Sequence, residues 1–216
     1  MSARDDSIPV PLLKRVCDVG ISIALLIVFS PIWISVLVIL AASLGIRPED
    51  RGPLLYRERR ISAGREFDLL KFRVLRTEVL ERMSQEGGYA RIYEADTTNL
   101  TWAGRRLLKP LYLDELPQVI NIVRGDMCLV GPRPWPVSMV REQVASGYEY
   151  RELVRAGWTG PVQVQKGRPE PGGPPTLDLE YVEACRTWSS WRLVRYDLGI
   201  LAETVKVLAR GQGLRF

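Results

Sequence analysis

Two adjacent carboxylates, Asp114 and Glu115, stand in the segment LYLDELPQVINIVRGDM, residues 111–127, just before a proline and an apolar run. Like charges repel, but at a helix start neighbouring side chains can converge, and a bound divalent cation would remove the repulsion. We predict a helix with Asp114 as its N-cap, Gly125 as the residue after its end, and one apolar stripe formed by Leu116, Val119, Ile120 and Val123. The pair would then lie at the positive end of a helix dipole, a place suited to phosphate and metal. An N-cap aspartate with a first-turn glutamate and no chemistry is the alternative that these residues leave open.

The composition narrows the chemistry that the chain can perform. Its 216 residues include no histidine, which excludes Ser-His and Cys-His dyads and the usual zinc sites. The three cysteines, Cys17, Cys128 and Cys185, show neither metal-ligand spacing nor a disulfide pattern, so we expect a reducing compartment. A net charge of +5 favours an anionic partner. Because the arginines are scattered among carboxylates and match no nucleic-acid reader, we expect no nucleic-acid partner.

A membrane segment is predicted near the N-terminus, where residues 19–46 carry no charge and exceed the roughly 20 residues of a spanning helix. Ser30-Pro31 interrupts this run, because proline removes a helical hydrogen bond. Basic residues flank both ends, Lys14 and Arg15 before and Arg47 and Arg51 after, which would hold both ends in the cytoplasm. A helix that enters the membrane, bends at Ser30-Pro31 and returns to the same face satisfies both observations. A single-pass anchor with a tolerated proline stays open on the segment alone.

The remaining chain alternates short strands, loops and helices. The pattern LLYRERRISAGREFDLLKFRVL predicts two strands around a turn at Ser62-Ala63-Gly64, with Lys71 and Arg73 on one face. On their own, these two cations would most simply be a solvated strand edge. Residues 84–101 are predicted as a loop with one short helical turn, and residues 166–175 as a second loop. Helices are predicted within residues 136–150 and 191–210.

A second motif, GDMCLVGPRP at residues 125–134, places Arg133 between Pro132 and Pro134. Two prolines fix the local backbone, so Arg133 can present a pre-organised fork to a phosphate or a base edge.

Together, LLKRVCDVGIS…SP, GPLLYRERR…GREFDLLKFR, LDELPQVINIVRGDMCLVGPRP, GWTGPVQVQKGR and YDLGILAETV resemble the monotopic phosphoglycosyl transferases, bacterial sugar transferases. The resemblance covers nearly the whole chain from Lys14. It implies transfer of a sugar phosphate from a nucleoside diphosphate sugar to polyprenyl phosphate, with release of the nucleoside monophosphate. It also implies a re-entrant membrane helix broken at Ser30-Pro31, a location at the cytoplasmic face of the bacterial inner membrane, and Mg²⁺ as cofactor.

Carried onto this sequence, the resemblance makes Asp114 the nucleophile and Glu115 its partner, with both carboxylates as candidate Mg²⁺ ligands. It assigns substrate binding to Lys71, Arg73, Pro132, Arg133, Pro134 and Arg168. The sequence departs from the family where KFRVLR lacks a hydroxyl after Arg73, where Cys128 replaces a serine, where AGWTG replaces PGITG, and where Lys109-Pro110 replaces an arginine-led turn. These departures leave the donor sugar and the local phosphate contacts undetermined.

We therefore expect an α+β protein with an N-terminal segment at residues 1–13, a re-entrant helix at 14–46 and a cytoplasmic-face catalytic domain at 47–216. That domain would combine helices with a short β-hairpin or sheet, as a minimal catalytic unit. The expected partners are a nucleoside diphosphate sugar, polyprenyl phosphate and membrane lipid, and the sequence leaves self-association open. Two rival functions are a membrane-anchored adaptor without enzymatic activity and a glycosyl transferase that releases nucleoside diphosphate.

Overall fold

The computed structural model describes residues 7–86, 88–165 and 176–210. These residues combine helices with two small sheets, in agreement with the α+β prediction. The helices are α1 (Leu12–Val28), α2 (Ser30–Ile46), α3 (Thr77–Glu86), α4 (Ala90–Glu94), α5 (Gln118–Arg124), α6 (Val137–Ala145), α7 (Tyr150–Leu153), α8 (Thr176–Thr187) and α9 (Ser190–Ala209). The strands are β1 (Leu55–Ser62), β2 (Arg65–Phe72), β3 (Cys128–Val130) and β4 (Gly157–Thr159).

Two compact units are interleaved along the chain. Within the described residues, the first unit comprises residues 7–23, Arg59–Leu69 and residues 120–210. The second unit comprises Ala24–Glu58 and the described part of Leu70–Val119. The division predicted at residues 13 and 46 concerns membrane insertion rather than compactness, and it stays a prediction.

The apolar N-terminal segment bends where proline interrupts it. The axes of α1 and α2 differ in direction by 64°, and Phe29 alone separates the two helices. Pro31 is the second residue of α2, a position that needs no amide hydrogen for a helical bond. No helix in the described residues is by itself long and apolar enough to cross a membrane, but α1 and α2 together meet that test of length and composition. Insertion in a bilayer stays a prediction.

The predicted hairpin is confirmed by β1 and β2. Its two-residue turn places Ala63 at a φ of 48° and Gly64 at 70°, as a turn matching the twist of paired strands requires. Lys71 and Arg73 are only 8% and 5% exposed, so a solvated strand edge is the wrong interpretation of both residues.

Each unit has its own apolar core. In the second unit, Val36 and Leu40 of α2 pack in a cluster with Phe72, Leu75 and other side chains from α3 and the segment after β2. The ring of Trp33 meets that of Phe72 edge to face, with 6.0 Å between the ring centres. In the first unit, the short parallel pair of β3 and β4 aligns Cys128 with Gly157 and Val130 with Thr159, beside a core that includes Met127, Leu129, Tyr181, Leu193 and Ile200.

Several predicted elements need correction. The predicted helices near residues 136–150 and 191–210 are confirmed by α6 and α9. The loop at 84–101, predicted with one short helical turn, is more helical than predicted, since it contains the end of α3, the short helix α4 and a 3₁₀ turn at Thr97–Asn99. Helices α3 and α8 were not predicted. The predicted loop at residues 166–175 lies outside the described residues.

Candidate active site

The two adjacent carboxylates lie in a 3₁₀ turn, Leu113–Glu115, and not at the start of an α-helix. Helix α5 begins at Gln118, so the prediction of Asp114 as its N-cap is wrong. The chain here makes tighter i→i−3 bonds, from the Leu116 amide to the Leu113 carbonyl at 3.3 Å and from the Val119 amide to the Leu116 carbonyl at 3.1 Å. The carboxylates therefore lie in a 3₁₀ turn, and the α-helix begins only after it.

The far end of α5 follows the prediction more closely. Gly125 has a φ of 93°, and the amides of Gly125 and Asp126 both donate to the Asn121 carbonyl at 3.0 Å, as in a glycine-terminated helix. The apolar stripe is shifted, because Val119 and Ile122 are buried while Val123 is 37% exposed.

Asp114 is a buried carboxylate with a cationic neighbour. Its side chain is almost fully buried, and Nζ of Lys109 lies 3.3 Å from its Oδ2 atom. Burial raises the pKa of Asp114 to about 6, although the Lys109 charge opposes the rise and Glu115 adds to it. Glu115 is half-buried beside it. The pair therefore offers one shielded carboxylate and one more accessible carboxylate.

Lys109 also contacts a second carboxylate that the sequence did not point to. Its Nζ lies 2.6 Å from Oε2 of Glu94, the last residue of α4. Burial lowers the pKa of the Lys109 ammonium, but Asp114 and Glu94 outweigh this effect, so the net pKa is raised. The sequence identifies Lys109 only as part of a departure from an arginine-led turn. No motif or spacing in the sequence indicates a role for Glu94.

A π-helical turn, Gly104–Leu108, places Lys109. The Lys109 amide donates to the Gly104 carbonyl at 3.0 Å, an i→i−5 bond. A side chain at Gly104 would meet the Val74 carbonyl oxygen 2.6 Å from its Cβ, so this close approach requires glycine. Leu108, immediately before Lys109, is completely buried and fixes the end of the turn.

Lys71 and Arg73 have different kinds of interaction partner. Nζ of Lys71 lies 3.3 Å from Oε2 of Glu58, and the Lys71 charge also acts on Asp114. Arg73 instead donates to three backbone carbonyls, those of Pro53 and Leu75 at 2.8 Å and that of Asp50 at 2.5 Å. Arg73 thus ties together the backbone around the end of β2, and its contact with phosphate stays a prediction.

The Pro132-Arg133-Pro134 segment lies in the first unit, and its backbone is held at each residue. The Gly157 amide donates to the Pro132 carbonyl at 2.9 Å, Arg151 to the Arg133 carbonyl at 2.5 Å, and Arg60 to the Pro134 carbonyl at 3.2 Å. Both prolines are buried whereas Arg133 is exposed. The rigid backbone predicted for Arg133 is therefore present.

The predicted site residues thus fall into two groups. Asp114, Glu115, Lys71 and Arg73 belong to the second unit, where Lys71 and Lys109 both act on Asp114. Pro132, Arg133 and Pro134 belong to the first unit. Arg168 lies outside the described residues.

The two adjacent carboxylates have the donor chemistry for Mg²⁺. In the described part of the chain, no group of three or more His, Cys, Asp or Glu side chains could hold a metal ion. Mg²⁺ commonly takes one or two carboxylates together with substrate phosphates and water, so Asp114 and Glu115 fit that kind of site and not a cage made by protein alone.

Comparison with known proteins shows to which family the chain belongs. A family model described as bacterial sugar transferase matches residues 10–211. The chain belongs to the bacterial sugar transferase family. This transferase is 34% identical over 213 residues to the UDP-glucose:undecaprenyl-phosphate glucose-1-phosphate transferase of Caulobacter vibrioides, covering 93% of this chain and 71% of that protein.

Two further relatives support the same family assignment. The transferase is 33% identical to the undecaprenyl-phosphate galactose phosphotransferase of Salmonella typhimurium, with 93% of this chain and 41% of that protein covered. It is 34% identical to the exopolysaccharide production protein ExoY of Sinorhizobium fredii, with 93% of this chain and 87% of that protein covered. The chain is therefore a transferase enzyme, and the adaptor alternative is discarded.

Proposed function

We propose that this transferase moves a sugar-1-phosphate from a UDP-sugar to polyprenyl phosphate through a covalent intermediate on Asp114. UMP leaves in the first half-reaction, and the product begins the assembly of a glycoconjugate such as an exopolysaccharide. The observation that carries the proposal is Asp114, a buried carboxylate with Lys109 within 3.3 Å and Glu115 beside it, in a chain that matches sugar transferases over residues 10–211. The names of the relatives support the UDP-sugar and the undecaprenyl phosphate.

In the first half-reaction, an oxygen of the Asp114 carboxylate attacks the sugar-bearing phosphorus. The bond between that phosphorus and the bridging oxygen breaks, and the bridging oxygen keeps the electron pair and leaves with UMP. A carboxylate needs no base to attack, which suits a chain without histidine. In the second half-reaction, a phosphate oxygen of the polyprenyl phosphate attacks the same phosphorus and releases the Asp114 carboxylate.

Other charged residues would neutralise the phosphate charge, hold the metal ion and bind the nucleotide. Phosphoryl transfer depends on an in-line nucleophile and on neutralising charge at the phosphate oxygens. The ammonium groups of Lys71 and Lys109 supply positive charge near the attacked phosphate. Asp114 and Glu115 would hold Mg²⁺, which when bound neutralises charge on the departing phosphate. Arg133 would bind the nucleotide through its planar fork.

A membrane position for the bent α1–α2 pair completes the proposal. The acceptor is a lipid, so its phosphate group must meet Asp114 at a membrane surface. We propose that α1 and α2 form a re-entrant hairpin in the bacterial inner membrane, with the rest of the protein on the cytoplasmic face. The 64° bend and the apolar composition of both helices support this arrangement.

The covalent step is tested by leaving out the acceptor. Purified enzyme with UDP-sugar and Mg²⁺, but without polyprenyl phosphate, should release UMP in a burst no larger than the enzyme concentration. Intact-protein mass spectrometry should then show a sugar phosphate on the chain. Asp114→Asn keeps the side-chain size but loses the nucleophilic oxygen, so it should give neither burst nor adduct.

Glu115→Gln serves as the companion variant. It should keep the adduct but slow the burst by roughly two to four orders of magnitude, as for the loss of an acid–base group. Release of UMP only when both substrates are present, with no adduct at any time, would indicate direct attack by the lipid phosphate. Release of UDP would instead identify a glycosyl transferase.

A further inference from the structure

The ammonium group of Lys109 is shared between two carboxylates, one of which belongs to the proposed nucleophile. Nζ lies 2.6 Å from Oε2 of Glu94 and 3.3 Å from Oδ2 of Asp114. All three side chains are largely removed from solvent, with exposed fractions of 17% for Lys109, 12% for Glu94 and 3% for Asp114. Burial strengthens such pairs and limits screening by salt. The shorter distance shows that Glu94 is the nearer partner.

We propose that Glu94 is a positioning residue that acts through Lys109, holding its ammonium beside Asp114 without letting it pair fully with the attacking carboxylate. The inference rests on the proposed covalent function of Asp114. Neither the adjacent carboxylates nor the Pro-Arg-Pro motif points to Glu94, which lies twenty positions before Asp114 in the sequence.

The charge changes of the first half-reaction explain why a second carboxylate is useful. When Asp114 becomes bonded to phosphorus, its carboxylate charge disappears, and the negative charge lies on the phosphate oxygens, two bonds beyond the attacking oxygen. A cation paired with Asp114 alone would lose its partner in that step. Because Glu94 also holds Lys109, the ammonium stays near the new phosphate oxygens during both half-reactions.

Lysine suits this arrangement better than arginine would. Its ammonium is a compact charge with three donors, so it can contact two carboxylates that approach from different directions. A guanidinium would pair with one carboxylate through a planar fork. The shared contact of Lys109 with Glu94 and Asp114 is therefore one that a lysine can make.

The surrounding backbone fixes both ends of the Glu94–Lys109 pair. Lys109 follows the π-helical turn that begins at Gly104. At the other end, the Asn99 side chain donates to the Tyr93 carbonyl at 2.9 Å, next to Glu94. Glu94 and Lys109 thus both lie on short, anchored segments, so a change in charge at Glu94 is transmitted to Asp114 through Lys109.

The test compares burst kinetics of Glu94→Gln, Lys109→Met and the double variant, with Glu81→Gln as the control for an exposed carboxylate in α3. Without the Glu94 charge, Lys109 pairs more fully with Asp114 and engages its attacking lone pairs. Glu94→Gln should therefore lower the burst rate constant by roughly 10- to 100-fold, the usual cost of misplaced catalytic groups. The burst amplitude and the UDP-sugar concentration that gives half-maximal rate should match the wild type. Glu81→Gln should match the wild type in burst rate constant, in burst amplitude and in the UDP-sugar concentration that gives half-maximal rate.

The double variant decides whether Glu94 works through Lys109. If it does, the double variant is no slower than Lys109→Met alone, because the second change removes nothing further. Rate losses that multiply would overturn the proposal, as would an unchanged burst rate in Glu94→Gln. A purely structural role would lower the burst amplitude and the melting temperature instead. If Glu94→Gln does not fold, Glu94→Asp replaces it, and a burst rate equal to the wild type would then overturn the proposal.

This outcome is separable from failure of the proposed function. If wild-type enzyme shows no burst and no adduct, the covalent function fails. The same four proteins are then compared by steady-state UMP release with both substrates present. A rate loss in Glu94→Gln that disappears in the Lys109→Met background supports the positioning role, and independent losses contradict it.

Discussion

Lys14, in the first turn of α1, and Asp197, in α9, form a buried ion pair with 2.5 Å between Nζ and Oδ2. Nζ also donates to the Val130 carbonyl at 3.2 Å, two residues before Pro132. Arg15, the next residue, donates to the carbonyls of Ile122 and Val123. These two cations thus have tertiary partners and are not simply membrane-flanking charges. The argument from the positive-inside rule is weaker at this end of the segment than the sequence indicated.

Breaking this pair should destabilise the protein strongly. Lys14→Ala leaves the Asp197 carboxylate buried without its nearest cation, which should cost about 3–5 kcal/mol. Thermal unfolding in detergent or nanodiscs measures the loss. Lys206→Ala is the control, since Lys206 pairs with Glu203 at an exposed site and should change stability by less than about 1 kcal/mol. Equal effects of the two substitutions would contradict a structural role for Lys14.

The bend between α1 and α2 predicts the membrane topology. Cysteines placed near residue 8, at the exposed Pro9, and near residue 50, at the exposed Arg51, should both be labelled only from the cytoplasmic side by a membrane-impermeant thiol reagent. Pro31→Leu should increase labelling of one end from the opposite face, because a continuous helix satisfies its backbone in lipid. Labelling of the two wild-type ends from opposite faces would establish a crossing helix.

The raised pKa of Asp114 predicts a specific dependence of stability on pH. Its pKa of about 6 in the fold lies above the ordinary value of 3.8, so between these values the folded protein binds a proton that the unfolded chain does not. The contribution of Asp114 to stability should therefore fall as pH rises from about 4 to 6 and then stay constant, a change of up to about 3 kcal/mol. Asp114→Asn should lack this dependence. Melting temperatures of both proteins without Mg²⁺ test it, and parallel pH curves would contradict it.

Arg133 is expected to act on the donor alone. Arg133→Lys keeps the charge but loses the planar fork, so the Michaelis constant for UDP-sugar should rise with little change in the acceptor half-reaction. The measurement is UMP release at varied donor concentration, followed by chase of the preformed adduct with polyprenyl phosphate. Donor kinetics equal to the wild type would remove Arg133 from the nucleotide site.

Gly104 is expected to tolerate no side chain. Gly104→Ala would place Cβ 2.6 Å from the Val74 carbonyl, distort the π-helical turn and destabilise the protein by about 1–3 kcal/mol. It should also slow the burst by displacing Lys109. Gly199→Ala, in α9, meets nothing within 4 Å and should leave stability equal or slightly higher. A Gly104→Ala protein with normal melting temperature and burst would exclude this role for the turn.

The sequence by itself determined the features that depend on local chemistry. Pro31 dictated the break between α1 and α2, Ala63-Gly64 the hairpin turn, and Gly125 the end of α5. The motifs around Asp114 and Arg133 sufficed to place the chain among sugar transferases, because their residue types and order are specific. The helix break, the hairpin turn and the helix end need only neighbouring residues and their backbone preferences, whereas the family assignment came from the resemblance of the motifs.

The tertiary structure alone decided which charges meet. Glu94 and Lys109 are fifteen positions apart, and Lys14 and Asp197 are 183 apart, so no periodicity in the sequence predicts either pair. Arg73 illustrates the same limit, since its partners are backbone carbonyls that carry no side-chain signal. Asp114 is not the N-cap of α5, because the residues around it are closed by i→i−3 bonds and α5 begins only at Gln118. Side-chain partners and pKa shifts depend on burial and on distances through space, and these are set only when the chain packs.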